Sequence, residues 1–187
     1  MVFIRSERLF LRPGWPEDWT QLLALINDEG IVRNLAHAPW PYTADDARAF
    51  LGLAQEARLP RFLVTVPGAG IIGSVGLGSC EDGVELGYWI AREHWGRGYA
   101  SEAGRAVLDV ARMVGHRRLV ASHFIDNPAS GRVLEKIGFR RTGIVAERFS
   151  KGRAKAFLAR GYALDLCSPD DRAEPDGSDL MRCRKAA

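Results

Sequence analysis

The sequence predicts an α/β domain of the α+β kind, and three observations carry that reading. Three strand-like runs, 61–66, 71–77 and 84–90, are separated only by turn signals, so they pair as an antiparallel meander. Two strand-to-helix successions follow, one through the glycine turn at 95–98 and one through Asn127-Pro128. Between the first strand and the meander, apolar residues recur at helical rather than strand spacing.

The elements follow in order. Residues 8–12 alternate as a first strand, broken by Pro13-Gly14. Trp19, Leu22, Leu23 and Ile26 form one stripe of a helix over 17–28, and a shorter helical piece lies near 31–35. Pro39-Trp40-Pro41-Tyr42 cannot continue a helix, and Thr43 supplies a capping oxygen for the next one, whose apolar face is Ala47, Phe50, Leu51 and Ala54. In the meander, Asp82-Gly83 is a hairpin signal. Ala100, Ala103, Val107, Val110, Ala111 and Val114 give a long helix stopped by Gly115. After a strand over 118–124, Asn127 caps and Pro128 opens a helix that ends at Gly138. Runs 139–147 and 156–166 supply the last strands, turning through Lys151-Gly152-Arg153.

With 187 residues the chain suits one domain, which we assign to residues 1–166, and the shift to Pro, Asp, Arg and Ser beyond it marks 167–187 as a solvated C-terminal tail. Cys80, Cys167 and Cys183 are odd in number and far apart, which argues against a disulfide framework and a zinc site, and no metal is expected. Arg5, Glu7 and Arg8 interrupt any apolar leader, and no run approaches the ~18 apolar residues that span a bilayer, so a cytoplasmic address is expected. A net charge of +3 is too small to call for nucleic acid but suits a phosphorylated ligand.

Trp95-Gly96-Arg97-Gly98-Tyr99-Ala100 is the most informative stretch. Glycines let the backbone approach a ligand closely, and the free N–H groups of the following helix turn favour an anion. The dinucleotide fingerprint and the P-loop are both excluded, because the third glycine and the Gly-Lys-Ser/Thr ending are missing. From the residues alone, a phosphate cradle and a plain strand-to-helix turn remain open.

Taken together, Glu85-Leu86-Gly87-Tyr88-Trp89-Ile90, the run from Trp95 to Ala103, and Asn127-Pro128-Ala129-Ser130 leading to Glu135-Lys136-Ile137-Gly138-Phe139 resemble the GNAT superfamily of acetyl-CoA-dependent N-acetyltransferases. The resemblance is closest to its RimJ/RimL-like branch, which Glu7-Arg8-Leu9-Phe10-Leu11-Arg12-Pro13 also matches; it covers about residues 5–166. The superfamily usually has Arg or Gln where this chain has Trp95, whereas the branch tends to place Trp there. The resemblance implies a twisted mixed β-sheet, mainly antiparallel, splayed between its fourth and fifth strands, with helices on both faces. Acetyl-CoA would enter the split. Its diphosphate would lie on Gly96, Arg97, Gly98, Tyr99, Ala100 and Ser101, its pantetheine beside Trp89, Ile90 and Ala91, and Arg132 and Lys136 near its phosphates.

Acetyl transfer needs a deprotonated amine, a polarised carbonyl and a protonated leaving thiolate. Glu85, at the start of a strand beside the cleft, is the first candidate base and Glu147 the second; water is the third possibility. Alternation puts Glu85, Gly87 and Trp89 on one face, with Leu86, Tyr88 and Ile90 on the other. The resemblance puts Ser130 near the sulfur as a proton donor, while Asn127 caps its helix and contacts cofactor or water. A backbone N–H near Ile90 would polarise the carbonyl. Of the histidines, His123 alone lies near the cleft, and Pro39, Trp40 and Tyr42 would line the acceptor mouth. The acceptor is an amine, either a peptide N-terminus or a small molecule. A non-catalytic acyl-CoA sensor is the alternative, and exposed late strands would suit a homodimer.

Overall fold

Alternating side chains sort the chain into two apolar layers on either side of one sheet. The structure, a computed structural model, describes residues 2–166, so the tail assigned to 167–187 lies outside the described residues. Its strands are β1 (Ile4–Arg5), β2 (Phe10–Arg12), β3 (Arg61–Val66), β4 (Gly70–Cys80), β5 (Gly83–Ile90), β6 (Arg118–Phe124), β7 (Arg140–Ser150) and β8 (Lys155–Asp165). The helices are α1 (Trp19–Ile26), α2 (Glu29–Val32), α3 (Ala44–Gly52), α4 (Tyr99–Met113) and α5 (Pro128–Lys136).

The sheet order is β1-β2-β3-β4-β5-β6-β8-β7, antiparallel except where β5 meets β6. That parallel junction is joined by a single pair, Glu85↔Val120. By contrast, β4 and β5 are paired from Gly73↔Ile90 to Cys80↔Gly83. The sheet is therefore splayed at the junction the resemblance implies. It falls between the fifth and sixth strands because β1, only two residues long, leaves no alternation to read.

On one face, Leu86 and Ile90 of β5 pack with Ala103, Val107 and Ala111 of α4, Leu134 of α5 and Ile137 at its C-cap. On the other, Trp89 packs with Leu22 and Ile26 of α1, Ile31 and Val32 of α2, and Ala47 of α3. Thr43 caps α3 by accepting from the Asp46 N–H at 3.2 Å, and the Asp46 carboxylate returns the bond to the Thr43 N–H at 2.9 Å. Gly131 lets α5 lie against β6 and β8: a Cβ there would stand 2.6 Å from His123 Nε2 and 2.9 Å from the Tyr162 hydroxyl.

The turn from β7 to β8 is bolted over the open end of the splay by Arg153. Its side chain is 5% exposed, with both Nη atoms on Asp126 at 2.9 and 2.8 Å and its Nε on the Arg33 carbonyl at 2.6 Å. The guanidinium also stacks on Phe124 and Phe157, 4.8 and 4.5 Å from their centroids. Arg153→Ala should therefore cost about 1–3 kcal/mol, discounted for the partly exposed Asp126. Thermal denaturation checks this: a melting temperature equal to wild type would show that the turn does not need its bolt.

Candidate active site

The splay opens into a cavity of about 980 Å³, at the upper end of the range for small-molecule sites. It runs from the start of α4, through the gap between β5 and β6, to α2, α3 and the β7–β8 turn. Gly78 and Gly87 line it, and a Cβ at either would meet nothing within 4 Å, so this stretch of wall is bare backbone.

At one end lies the glycine turn. Gly96 and Gly98 have φ of 74° and 80°, left-handed conformations that side chains resist. Gly98 is the N-cap of α4 and offers no capping side chain, so the first-turn N–H groups are left for a ligand. A Cβ on Gly96 would meet nothing within 4 Å, which leaves room above the backbone. This end fits a diphosphate by both donor geometry and space. The Trp95 indole donates to the Ile90 carbonyl at 2.6 Å, tying the turn to the end of β5.

Glu102, in the first turn of α4, would repel an anion if left unpaired. Instead it accepts from the Ser6 hydroxyl and the Arg8 N–H, each at 2.7 Å, and from Arg8 Nε at 2.8 Å. Burial pushes the Glu102 carboxyl up, but these bonds together bring it below its ordinary value. Arg8 also donates to the Arg97 carbonyl at 3.0 Å and lies 4.8 Å from the Tyr99 ring centroid. The turn between β1 and β2 thus holds the glycine turn as well as neutralising the carboxylate.

Mid-cavity, the Tyr88 hydroxyl lies 2.8 Å from Ser130 Oγ and 3.1 Å from the Ser130 carbonyl. Burial pushes the Tyr88 phenol up to about 12, so it stays protonated at neutral pH. The Asn127 amide oxygen accepts from the Ser130 N–H at 3.4 Å and caps α5. Glu85 is paired with Arg148, whose Nη2 lies 2.7 Å from Glu85 Oε2 and whose Nη1 contacts both Glu85 Oε1 and Ser122 Oγ. That bonding to Glu85 raises the Arg148 guanidinium above its usual value. Ala91 donates to the Ile72 carbonyl of β4 at 2.8 Å, so by strand alternation the Ile90 N–H points the other way, into the gap.

Glu85, Trp89, Ile90, Trp95, Gly96, Gly98, Tyr99, Ala100, Ser101, Asn127, Ser130, Arg132 and Lys136 all line this one cavity. Two of the expected cofactor residues do not: Ala91 faces β4, and only the Arg97 backbone is engaged, through Arg8. Glu147 is exposed on β7 and outside the lining, whereas its neighbour Arg148 turns in. Pro39 and Tyr42 line the far end and Trp40 does not. His123 is buried, with its ring nitrogens 2.8 Å from the Phe124 carbonyl and 3.3 Å from the Tyr162 hydroxyl. Sequence reasoning missed Tyr88, Ser122 and Arg148. Alternation set Tyr88 on the face of Leu86 and Ile90, which packs on α4 and α5, but Arg148 opposite Glu85 left no local signal. Among the described residues, no group of His, Cys, Asp and Glu could hold a metal, and no helix is long and apolar enough to cross a membrane.

A mixed sheet splayed beside an uncapped, glycine-led helix defines an acetyltransferase fold. The family described as Acetyltransferase (GNAT) domain matches residues 8–140, and the chain belongs to it. It is 27% identical over 155 residues to the uncharacterized N-acetyltransferase YnaD of Bacillus subtilis (strain 168), covering 81% of this chain and 90% of that protein. The crystal structure of a GNAT-family acetyltransferase from Bacillus anthracis superposes with a TM-score of 0.75 at 27% identity, over 88% of this chain and 99% of that one. RimL, a ribosomal alpha-N-protein acetyltransferase in complex with coenzyme A, shares the fold at 20% identity and a TM-score of 0.72, over 88% and 98% of the two chains. The protein is an N-acetyltransferase that uses acetyl-CoA.

Gly98→Ala should weaken acetyl-CoA binding about tenfold, because the left-handed backbone costs roughly 1–2 kcal/mol with a Cβ. Calorimetric titration reads this directly, and an unchanged affinity would remove the turn from the binding site. Glu102 gives a pH test. Its lowered value stabilises the fold above the usual carboxylate range, and the contribution is lost as pH falls through that value. The melting-temperature gap between wild type and Glu102→Gln should close on acidification; a gap that stays constant with pH contradicts the assignment.

Proposed function

We propose that the chain moves an acetyl group from acetyl-CoA to the neutral nitrogen of a primary amine by direct attack on the thioester, as a RimJ/RimL-like member of its family. The observation that carries this reading is the gap between β5 and β6. A free backbone N–H, a carboxylate and a hydroxyl pair all reach the cavity there.

Acetyl-CoA supplies the activated thioester. The Gly96 and Gly98 turn and the first N–H groups of α4 hold the diphosphate, while Arg132 and Lys136 balance the remaining phosphate charge. Ile90 N–H donates to the thioester oxygen, a bond that strengthens as negative charge develops and needs no reorganisation. Glu85 takes the amine proton directly or through water, and its bonds to Arg148 and Ser122 orient it. Ser130 gives a proton to the departing thiolate, with the Tyr88 hydroxyl beside it to replace that proton. Because Glu147 is exposed and outside the cavity lining, we give it no role.

The test is release of free thiol from acetyl-CoA with an amine panel, together with mass analysis of the acetylated amine. Glu85→Gln should lower turnover by about 10²–10⁴ while leaving acetyl-CoA affinity unchanged. Wild-type turnover in this variant would leave water as the base; binding without release on any amine would favour a sensor.

A further inference from the structure

Arg148 has two planar edges, and the protein uses only one. The end-on edge, between Nη1 and Nη2, holds Glu85, and the outer Nη1 hydrogen meets Ser122 Oγ. The side edge, formed by Nε–H and the remaining Nη2 hydrogen, has no partner among the described residues. It is also open: the Arg148 side chain is 31% exposed and lines the cavity, and Nε is not among the buried atoms that lack a hydrogen bond. An unused guanidinium edge matches the two oxygens of a carboxylate.

The charge of the cavity points the same way. Its lining carboxylates among the described residues are Glu85 and Asp46. Glu85 is held by Arg148, and Asp46 by Thr43, at 2.9 Å through the N–H and 2.5 Å through the hydroxyl. Glu85 thus has a cation beside it already, and Asp46 is bonded through Oδ2 alone. Lys151, three residues beyond Arg148, adds a positive charge at the same end.

We infer that the acceptor is a compact primary amine bearing a carboxylate, which docks on the free Nε/Nη2 edge of Arg148. This rests on the acetyl-transfer reading above. Arg148 then lies between two carboxylates: Glu85, which faces the amine, and the carboxylate of the acceptor. One guanidinium thereby fixes the distance between the nitrogen that reacts and the group that is recognised. A polyamine has no carboxylate to offer that edge.

The experiment compares free amino acids with their carboxamides and with spermidine, using wild-type protein, acetyl-CoA and thiol release. The carboxylate should raise kcat/KM by about 10²-fold, the scale of charge-assisted hydrogen bonds lost together. Arg148→Lys keeps a cation opposite Glu85 but loses the edge, so the preference should collapse while acetyl-CoA affinity holds. Equal use of carboxamides, or preference for spermidine, overturns the subsite and leaves acetyl transfer standing. If no amine releases thiol, calorimetry on the CoA-loaded wild-type protein decides. Tighter binding of amino acids than of carboxamides keeps the subsite and defeats acetyl transfer, whereas no binding of amino acids defeats the subsite.

Discussion

The parallel contact between β5 and β6 is the constraint on which the rest of the molecule depends. It is one pair long, at Glu85↔Val120, while the neighbouring strand pairs run for most of their length. Beyond that pair the edge of β5 carries backbone donors and acceptors that no strand satisfies. Buried backbone groups left unpaired are costly, so such an edge is held open toward something that can bond to it. The Ile90 carbonyl finds the Trp95 indole, and the Ile90 N–H is left facing the gap.

Around this opening the two ends of the cavity are treated differently. At the α4 end the one awkward carboxylate, Glu102, is neutralised by Arg8, and the cations Arg132 and Lys136 remain on the lining. Away from that end, Glu85 and Arg148 form a largely balanced pair, and Gly78 and Gly87 leave the wall bare. The first end suits a strongly anionic ligand that must bind in one orientation. The second suits a small polar molecule whose charges are read one at a time.

Much of this was legible where the chain's local signals agree. The strands 61–66 and 118–124 have the bounds their alternation predicts, and Thr43, Asn127 and Gly98 stand at the starts of helices. The glycine turn and the face assignment of β5 followed from backbone geometry and period alone. What stayed hidden depends on pairing across long stretches of sequence. Arg148 meets Glu85 from 63 residues away and Arg8 meets Glu102 from 94, so nothing in either neighbourhood announces its partner. Glu147 and Arg148 differ only in which side of a strand they occupy. With both faces of β7 exposed from Arg140 to Glu147, the hydropathy pattern had no means of choosing between them.

Ser130 owes its reach to its neighbour. A single methyl group at residue 131 would collide with His123 and Tyr162 and lift α5 away from the sheet, carrying the serine out of contact with Tyr88. The contact between α5 and β5 across the cavity is thus metered by an absent atom. Drift at that position would reshape the cavity even though every side chain on its lining were still present.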